Sequence, residues 1–212
     1  MVTFLILRHG YSEGNKEKRF SGQLDVPLDA VGLSQAQSIK DYIVKSYAVD
    51  GIYSSDLRRA VETARPLAEA LGLPLMLEKD LREVDVGAWQ GRGIQEVKAQ
   101  YPAEFEAYRT SPGTFRFPEG EGYTDVMRRA SSVLARLAAK NEGKTLVIAT
   151  HGGVVRNLRA VWGGVSPARV GEIPHVPNAS LTVAVYDGER VTLPLVGYAD
   201  YLTDKTTEEG IK

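Results

Sequence analysis

Thr3-Phe4-Leu5-Ile6-Leu7-Arg8-His9-Gly10 and Thr145-Leu146-Val147-Ile148-Ala149-Thr150-His151-Gly152 follow one pattern: a short apolar run with β-branched residues that ends in His-Gly. Runs of this kind, near-continuous and not alternating, suit strands covered on both faces, as in a parallel α/β sheet. Ligands of such sheets bind beyond the carboxyl ends of the strands. If the two strands are parallel, His9 and His151 open into one site. The competing reading makes each imidazole a strand-end group satisfied by local hydrogen bonds.

Working outward, Gly51-Ile52-Tyr53-Ser54 is a third, weaker strand run. Ala36, Ile39 and Ile43 share a helical face after Gly32, Leu57 to Leu71 reads as a helix closed by Gly72, and Val126, Ala130, Val133, Leu134 and Leu137 form a longer stripe before Asn141-Glu142-Gly143. Ser180 to Tyr186 and Arg190 to Leu193 flank Asp187-Gly188, a hairpin signal. Strand–helix alternation predicts an α/β fold: a three-layer sandwich with a mostly parallel central sheet between helices. Residues 91–120 read as short helices and a Pro/Gly-containing loop, a smaller excursion over one end of the sheet. Residues 1–212 are expected to form one domain, and the polar stretch 203–212 a mobile end.

Composition removes several chemistries. The 212 residues contain no cysteine, which excludes a thiol nucleophile, disulfides and thiolate metal sites. Lys+Arg 26 against Asp+Glu 27 leaves a net charge of -1, so neither nucleic acid nor an anionic membrane is indicated as a partner. The apolar run at residues 3–7 is too short for a signal peptide or a membrane span, and a soluble cytoplasmic protein is expected. Oligomeric state is unreadable. Any anion site must come from a local cluster of arginines. Arg8 precedes His9, and Arg58 follows the run Tyr53 to Leu57 at the end of another strand. Two guanidiniums converging with two imidazoles would make a pocket for phosphate oxygens. The plain alternative for Arg58, followed by Arg59, is a solvated helix start. The third histidine, His175, lies between Pro174 and Pro177 and is either a loop residue or a substrate-facing one.

Five ordered blocks carry a resemblance: Arg8-His9-Gly10, Phe20 to Leu28 (FSGQLDVPL), Tyr53 to Ala60 (YSSDLRRA), Leu81 to Gly91 (LREVDVGAWQG) and Thr150-His151-Gly152-Gly153, with an echo at Asn178-Ala179-Ser180. In order and spacing they resemble the histidine phosphatase (phosphoglycerate-mutase-like) superfamily. The resemblance implies that His9 is a nucleophile forming a phosphohistidine. It implies that Arg8, Arg58 and His151 clamp the phosphoryl oxygens, helped by the helix start at Gly152. Asn15, Ser21 and Gly22 fall where that family places accessory contacts. Glu83 would be the general acid, its protonated form favoured by burial near Val84 or Trp89, with Asp85 as a rival on the same face if this segment were a strand. No metal and no cofactor are implied, and the expected partner is a small phosphorylated metabolite. Val86 and Gly153 stand where phosphoglycerate mutases carry Tyr and Asn, and no Arg-Arg pair follows the acid block before Arg128-Arg129. A phosphatase is therefore expected over a mutase, a non-catalytic phospho-ligand module or a metal-dependent hydrolase.

Overall fold

The computed structural model describes residues 1–207. Its strands are β1 (Val2–Arg8), β2 (Gly51–Ser54), β3 (Leu75–Leu77), β4 (Thr145–Thr150), β5 (Leu181–Tyr186) and β6 (Val191–Tyr198). Its helices are α1 (Glu13–Lys16), α2 (Ala30–Ser46), α3 (Arg58–Leu71), α4 (Ile94–Gln100), α5 (Pro102–Thr110), α6 (Tyr123–Lys140) and α7 (Gly152–Trp162). The strands form one sheet in the order β3-β2-β4-β1-β5-β6. β1, β2, β3 and β4 pair in parallel. β5 is antiparallel to both β1 and β6, so β6 points the same way as β1 and β5 alone is reversed.

That direction places the site. Arg8 is paired with Thr150 at the carboxyl ends of β1 and β4, and His9 donates its N–H to the Thr150 carbonyl at 2.9 Å. The two His-Gly steps thus leave the sheet side by side. At the opposite end of β1 Val2 is paired with Tyr186, so the exposed turn Asp187–Arg190 lies at the end of the sheet away from His9. Asp187 Oδ1 ties that turn by accepting from the backbone N–H groups of Glu189 and Arg190, each at 2.9 Å.

β1 and β4 are apolar throughout because both faces are covered. Phe4, Ile6, Leu146 and Ile148 pack with α6 and α7, while Leu5, Leu7, Val147 and Ala149 pack against α2 and α3. α2 starts where the Asp29 carboxylate accepts from Gly32 N–H at 2.9 Å, and α3 ends at Gly72 in the left-handed conformation. The region 91–120 is a roof of α4, α5 and a loop. Its Phe105, Tyr108, Phe115 and Phe117 rings pack around the fully buried Trp89.

Two expectations change. β3 is a three-residue edge strand that the apolar pattern did not single out. The end of the chain is also tied down as far as it is described: Gln35 Nε2 donates to the carbonyls of Asp204 and Thr206 at 3.2 and 2.8 Å, and Asn178 N–H donates to Thr207 Oγ1 at 2.7 Å. Residues 208–212 of the expected mobile end lie outside the described residues. Among the described residues no helix is long and apolar enough to cross a membrane.

Candidate active site

A cavity of about 710 Å³ opens over the carboxyl ends of β1 and β4 and under the 91–120 roof. His9 lies in its floor, almost fully buried. Its Nδ1 is 2.7 Å from the Gly10 carbonyl. A carbonyl can only accept, so Nδ1 carries the proton and Nε2 keeps its lone pair. Burial first, then Arg59 and Arg8, hold the His9 pKa well below the ordinary histidine value, which keeps the ring neutral. The loop carrying His9 is pinned from below: Asn178 Nδ2 donates to the carbonyls of His9 and Gly10 and to Asn15 Oδ1.

The His151 ring centroid is 5.2 Å from that of His9, and the residue is completely buried. Its Nε2 is 2.8 Å from Ser55 Oγ, which also accepts the Leu57 N–H. The other ring nitrogen, Nδ1, is a buried atom without a hydrogen-bond partner in the protein. Burial, then Arg59 and His9, keep this pKa well below the ordinary value too. His151 is thus a neutral imidazole with one ring nitrogen unpartnered. Sequence reading did not assign a role to Ser55.

Arg8 is buried in the wall and donates through Nη1 to the Val176 carbonyl at 2.6 Å. The expectation for Arg58 is not met. Its side chain is 57% exposed and pairs with Glu62 at 2.7 Å, outside the cavity. Arg59 takes the place instead. It is 2% exposed, lines the cavity, and is aimed by bonds from Nη1 to the Leu24 carbonyl (2.8 Å) and from Nη2 to the Gly22 carbonyl (2.7 Å). Consecutive helical residues project about 100° apart, so only one of the Arg58-Arg59 pair can face the pocket. The repeat of Arg in the sequence marks the position without saying which of the two is turned inward.

Asn15, Ser21, Gly22 and Gly152 all line the cavity as expected. The Asn15 side-chain oxygen accepts from Ser12 N–H, Ser12 Oγ and Asn178 Nδ2, which turns its NH2 group away from them. Glu83 lies across the cavity, partly exposed, with Oε1 accepting from Val84 N–H (2.8 Å) and Oε2 from Gly153 N–H (3.0 Å) at the start of α7. The acid is therefore held by two amides, and Trp89 packs into the aromatic roof cluster behind. Close approach of α7 to this carboxylate needs glycine, since a Cβ on Gly153 would sit 2.3 Å from Glu83 Oε1. Asp85 does not share the face. The segment is not a strand, and the Asp85 carboxylate accepts from Gly87 N–H at 2.9 Å outside the cavity.

His175, raised by the sequence reading, faces the cavity and forms a second cluster with Arg156 and Tyr123. Loss of solvent in the pocket, then Arg156, Arg8 and Arg159, push the His175 pKa down to about 3. Among the described residues no group of three or more His, Asp or Glu side chains is placed to hold a metal ion.

Residues 4–198 match the family model described as histidine phosphatase superfamily (branch 1). The chain is 32% identical over 203 residues to phosphoglycerate mutase-like protein 4 of Arabidopsis thaliana, covering 94% of this chain and 86% of that protein. It is 34% identical to a metal-independent phosphoserine phosphatase of the same plant, over 74% of this chain and 67% of that one. Among solved structures, a mycobacterial glucosyl-3-phosphoglycerate phosphatase complexed with VO3 superposes with a TM-score of 0.86 at 30% identity, over 93% of this chain and 99% of that one. The fold, the paired His-Gly strand ends and the match along nearly the whole sequence agree: this chain belongs to the histidine phosphatase superfamily, branch 1.

Proposed function

We propose that the protein hydrolyses small phosphomonoesters by way of a phosphohistidine on His9, with no metal ion taking part. The observation that carries this reading is the His9 ring itself. It is neutral, with its tautomer fixed by the Gly10 carbonyl, and its free Nε2 shares a cavity with Arg8 and Arg59, while the His151 ring lies 5.2 Å from its own, centroid to centroid. His9 Nε2 attacks phosphorus as the ester oxygen departs. Arg8, Arg59 and His151 hold the charge that spreads over the equatorial oxygens. Arg59 takes the clamping role that the sequence had suggested for Arg58. Asn15 and Ser21 are accessory donors, and the backbone at Gly22 and Gly152 lets the phosphoryl group approach closely.

Glu83 gives its proton to the departing alkoxide in the first half-reaction. In the second it takes a proton from water, which attacks phosphorus and releases inorganic phosphate and free His9. The relatives named as phosphatases support hydrolysis over phosphoryl transfer. The reading extends to one domain with residues 91–120 as a roof, acting on a small phosphorylated metabolite.

The test is a rapid quench during turnover of p-nitrophenyl phosphate with chelator present. An acid-labile, base-stable phosphoryl group on the protein is expected, together with its absence and the loss of turnover in His9→Ala. An acid-stable phosphoester, or full activity in the variant, would overturn the reading.

A further inference from the structure

The cavity holds more positive charge than one phosphoryl group needs. Of its lining residues, Arg8, Lys18, Arg19, Arg59, Arg109 and Arg156 are cationic, and the acids are Glu83 and Glu172. The chain as a whole carries a net charge of -1, so this concentration is local. Not all of it is available. Arg19 and Arg109 are exposed at the rim and pair with Glu17 and Glu106, and Glu172 pairs with Arg169. Arg8 and Arg59 flank His9.

Arg156 is different. It is 8% exposed, and among the described residues no Asp or Glu forms an ion pair with it. Nε donates to the Ile173 carbonyl at 2.7 Å and Nη2 to the Gly171 carbonyl at 2.6 Å, while Nη1 lies 3.1 Å from His175 Nε2. Two carbonyls and an imidazole are neutral partners. They aim the guanidinium and leave its charge uncompensated, an arrangement that is costly in a buried place unless an anion arrives.

Two further observations locate that anion. Tyr123, nearly buried, lines the same cavity as Arg156, and burial first, with Arg156, Glu83 and Tyr108 close enough to act on it as well, leaves its pKa above the ordinary tyrosine value. A phenol hydroxyl that keeps its proton can donate it to an anion. His175 feels Arg156 and Arg8 together, and Arg8 Nη1 is bonded to the adjoining Val176 carbonyl, so the second cluster adjoins the phosphoryl site.

We propose that the pocket selects phosphomonoesters that carry a second anionic group a few bonds from phosphorus, bound by the Arg156 guanidinium and the Tyr123 hydroxyl. This rests on the phosphatase reading above. A carboxylate and a second phosphate share the required chemistry, because both accept two N–H bonds from one guanidinium.

Three matched probes distinguish them: propyl phosphate, the phosphate ester of 3-hydroxypropanoate, and 1,3-propanediol bisphosphate. Wild type should prefer at least one of the two-anion probes over propyl phosphate in kcat/KM by roughly 10- to 100-fold, the worth of a charged hydrogen-bonded contact. The better of the two names the second group. Arg156→Gln should bring the ratio close to one, and Tyr123→Phe should lower it severalfold while keeping the aromatic packing. Equal kcat/KM on all three probes in wild type would overturn the proposal. So would a loss in Arg156→Gln that is the same for all three while Tyr123→Phe leaves the ratio unchanged. If wild type turns over none of them, the phosphatase reading fails. Calorimetric binding of the same probes to wild type then decides the subsite alone: a preserved preference in Kd keeps it, and equal Kd values end it.

Discussion

At the scale of single residues the decisive contrast is between Arg58 and Arg59, neighbours in sequence with opposite surroundings. Arg59→Ala removes a buried donor from the phosphoryl site and should reduce kcat/KM by about 100-fold or more, in line with the roughly 3 kcal/mol that one such donor contributes. Arg59→Lys should recover only part, since the fork that reaches Gly22 and Leu24 as well as the ligand is lost. Arg58→Ala breaks only an exposed pair with Glu62, worth at most about 0.5 kcal/mol, and should leave kcat/KM within about threefold. Steady-state kinetics on one aryl phosphate separates the cases, and the reverse order of losses would return the clamp to Arg58. His9, His151 and Arg8 were legible in the sequence because each sits directly at a strand end, where only one exit is open. The phase of α3 was not. Two adjacent arginines give no apolar signal to say which is turned inward, and the Leu24 and Gly22 carbonyls that capture Arg59 are more than 30 residues away.

At the scale of elements the start of α7 deserves the closest test, because it joins the acid to the nucleophile's sheet. Gly153→Ala puts a methyl group against Glu83 Oε1 and should displace the carboxylate from the Gly153 N–H. The expected result is a fall of about 10-fold or more on an alkyl phosphate and a much smaller one on p-nitrophenyl phosphate, whose phenolate leaves with little help from an acid. Thermal unfolding measured alongside should shift by no more than a few degrees. Equal losses on both leaving groups would detach Glu83 from proton transfer. The strands β1, β2 and β4, the helices α2, α3 and α6 and the β5–β6 hairpin were readable from period and turn chemistry alone. β3 was not, since three half-exposed residues on an edge make no pattern. Nor was the docking of residues 204–207, which depends on Gln35 and Asn178, partners 29 or more residues distant.

At the scale of the molecule the three histidines act together on stability. All three have folded-state pKa values below the ordinary 6.5, His175 at about 3 and His9 and His151 well below it. The unfolded chain therefore binds more protons than the folded one below about pH 6.5, so stability rises with pH in that window and falls on acidification. The melting temperature should drop between pH 7 and pH 4.5. It should drop less steeply in His175→Gln, and inorganic phosphate should restore part of it at fixed pH. A variant with the wild-type slope would show that His175 gains its proton as easily folded as unfolded.

The reversed strand β5 has one more outcome. It carries the Asp187–Arg190 turn to the end of the sheet opposite His9, where its residues are exposed and the cavity wall takes no part. A cysteine introduced at Glu189, exposed in that turn, would be the sole thiol in a chain that has none, and thus a single chemical handle. Coupled through it to a bead or electrode, the molecule would stand with its mouth turned to the bulk solution, every copy in the same orientation.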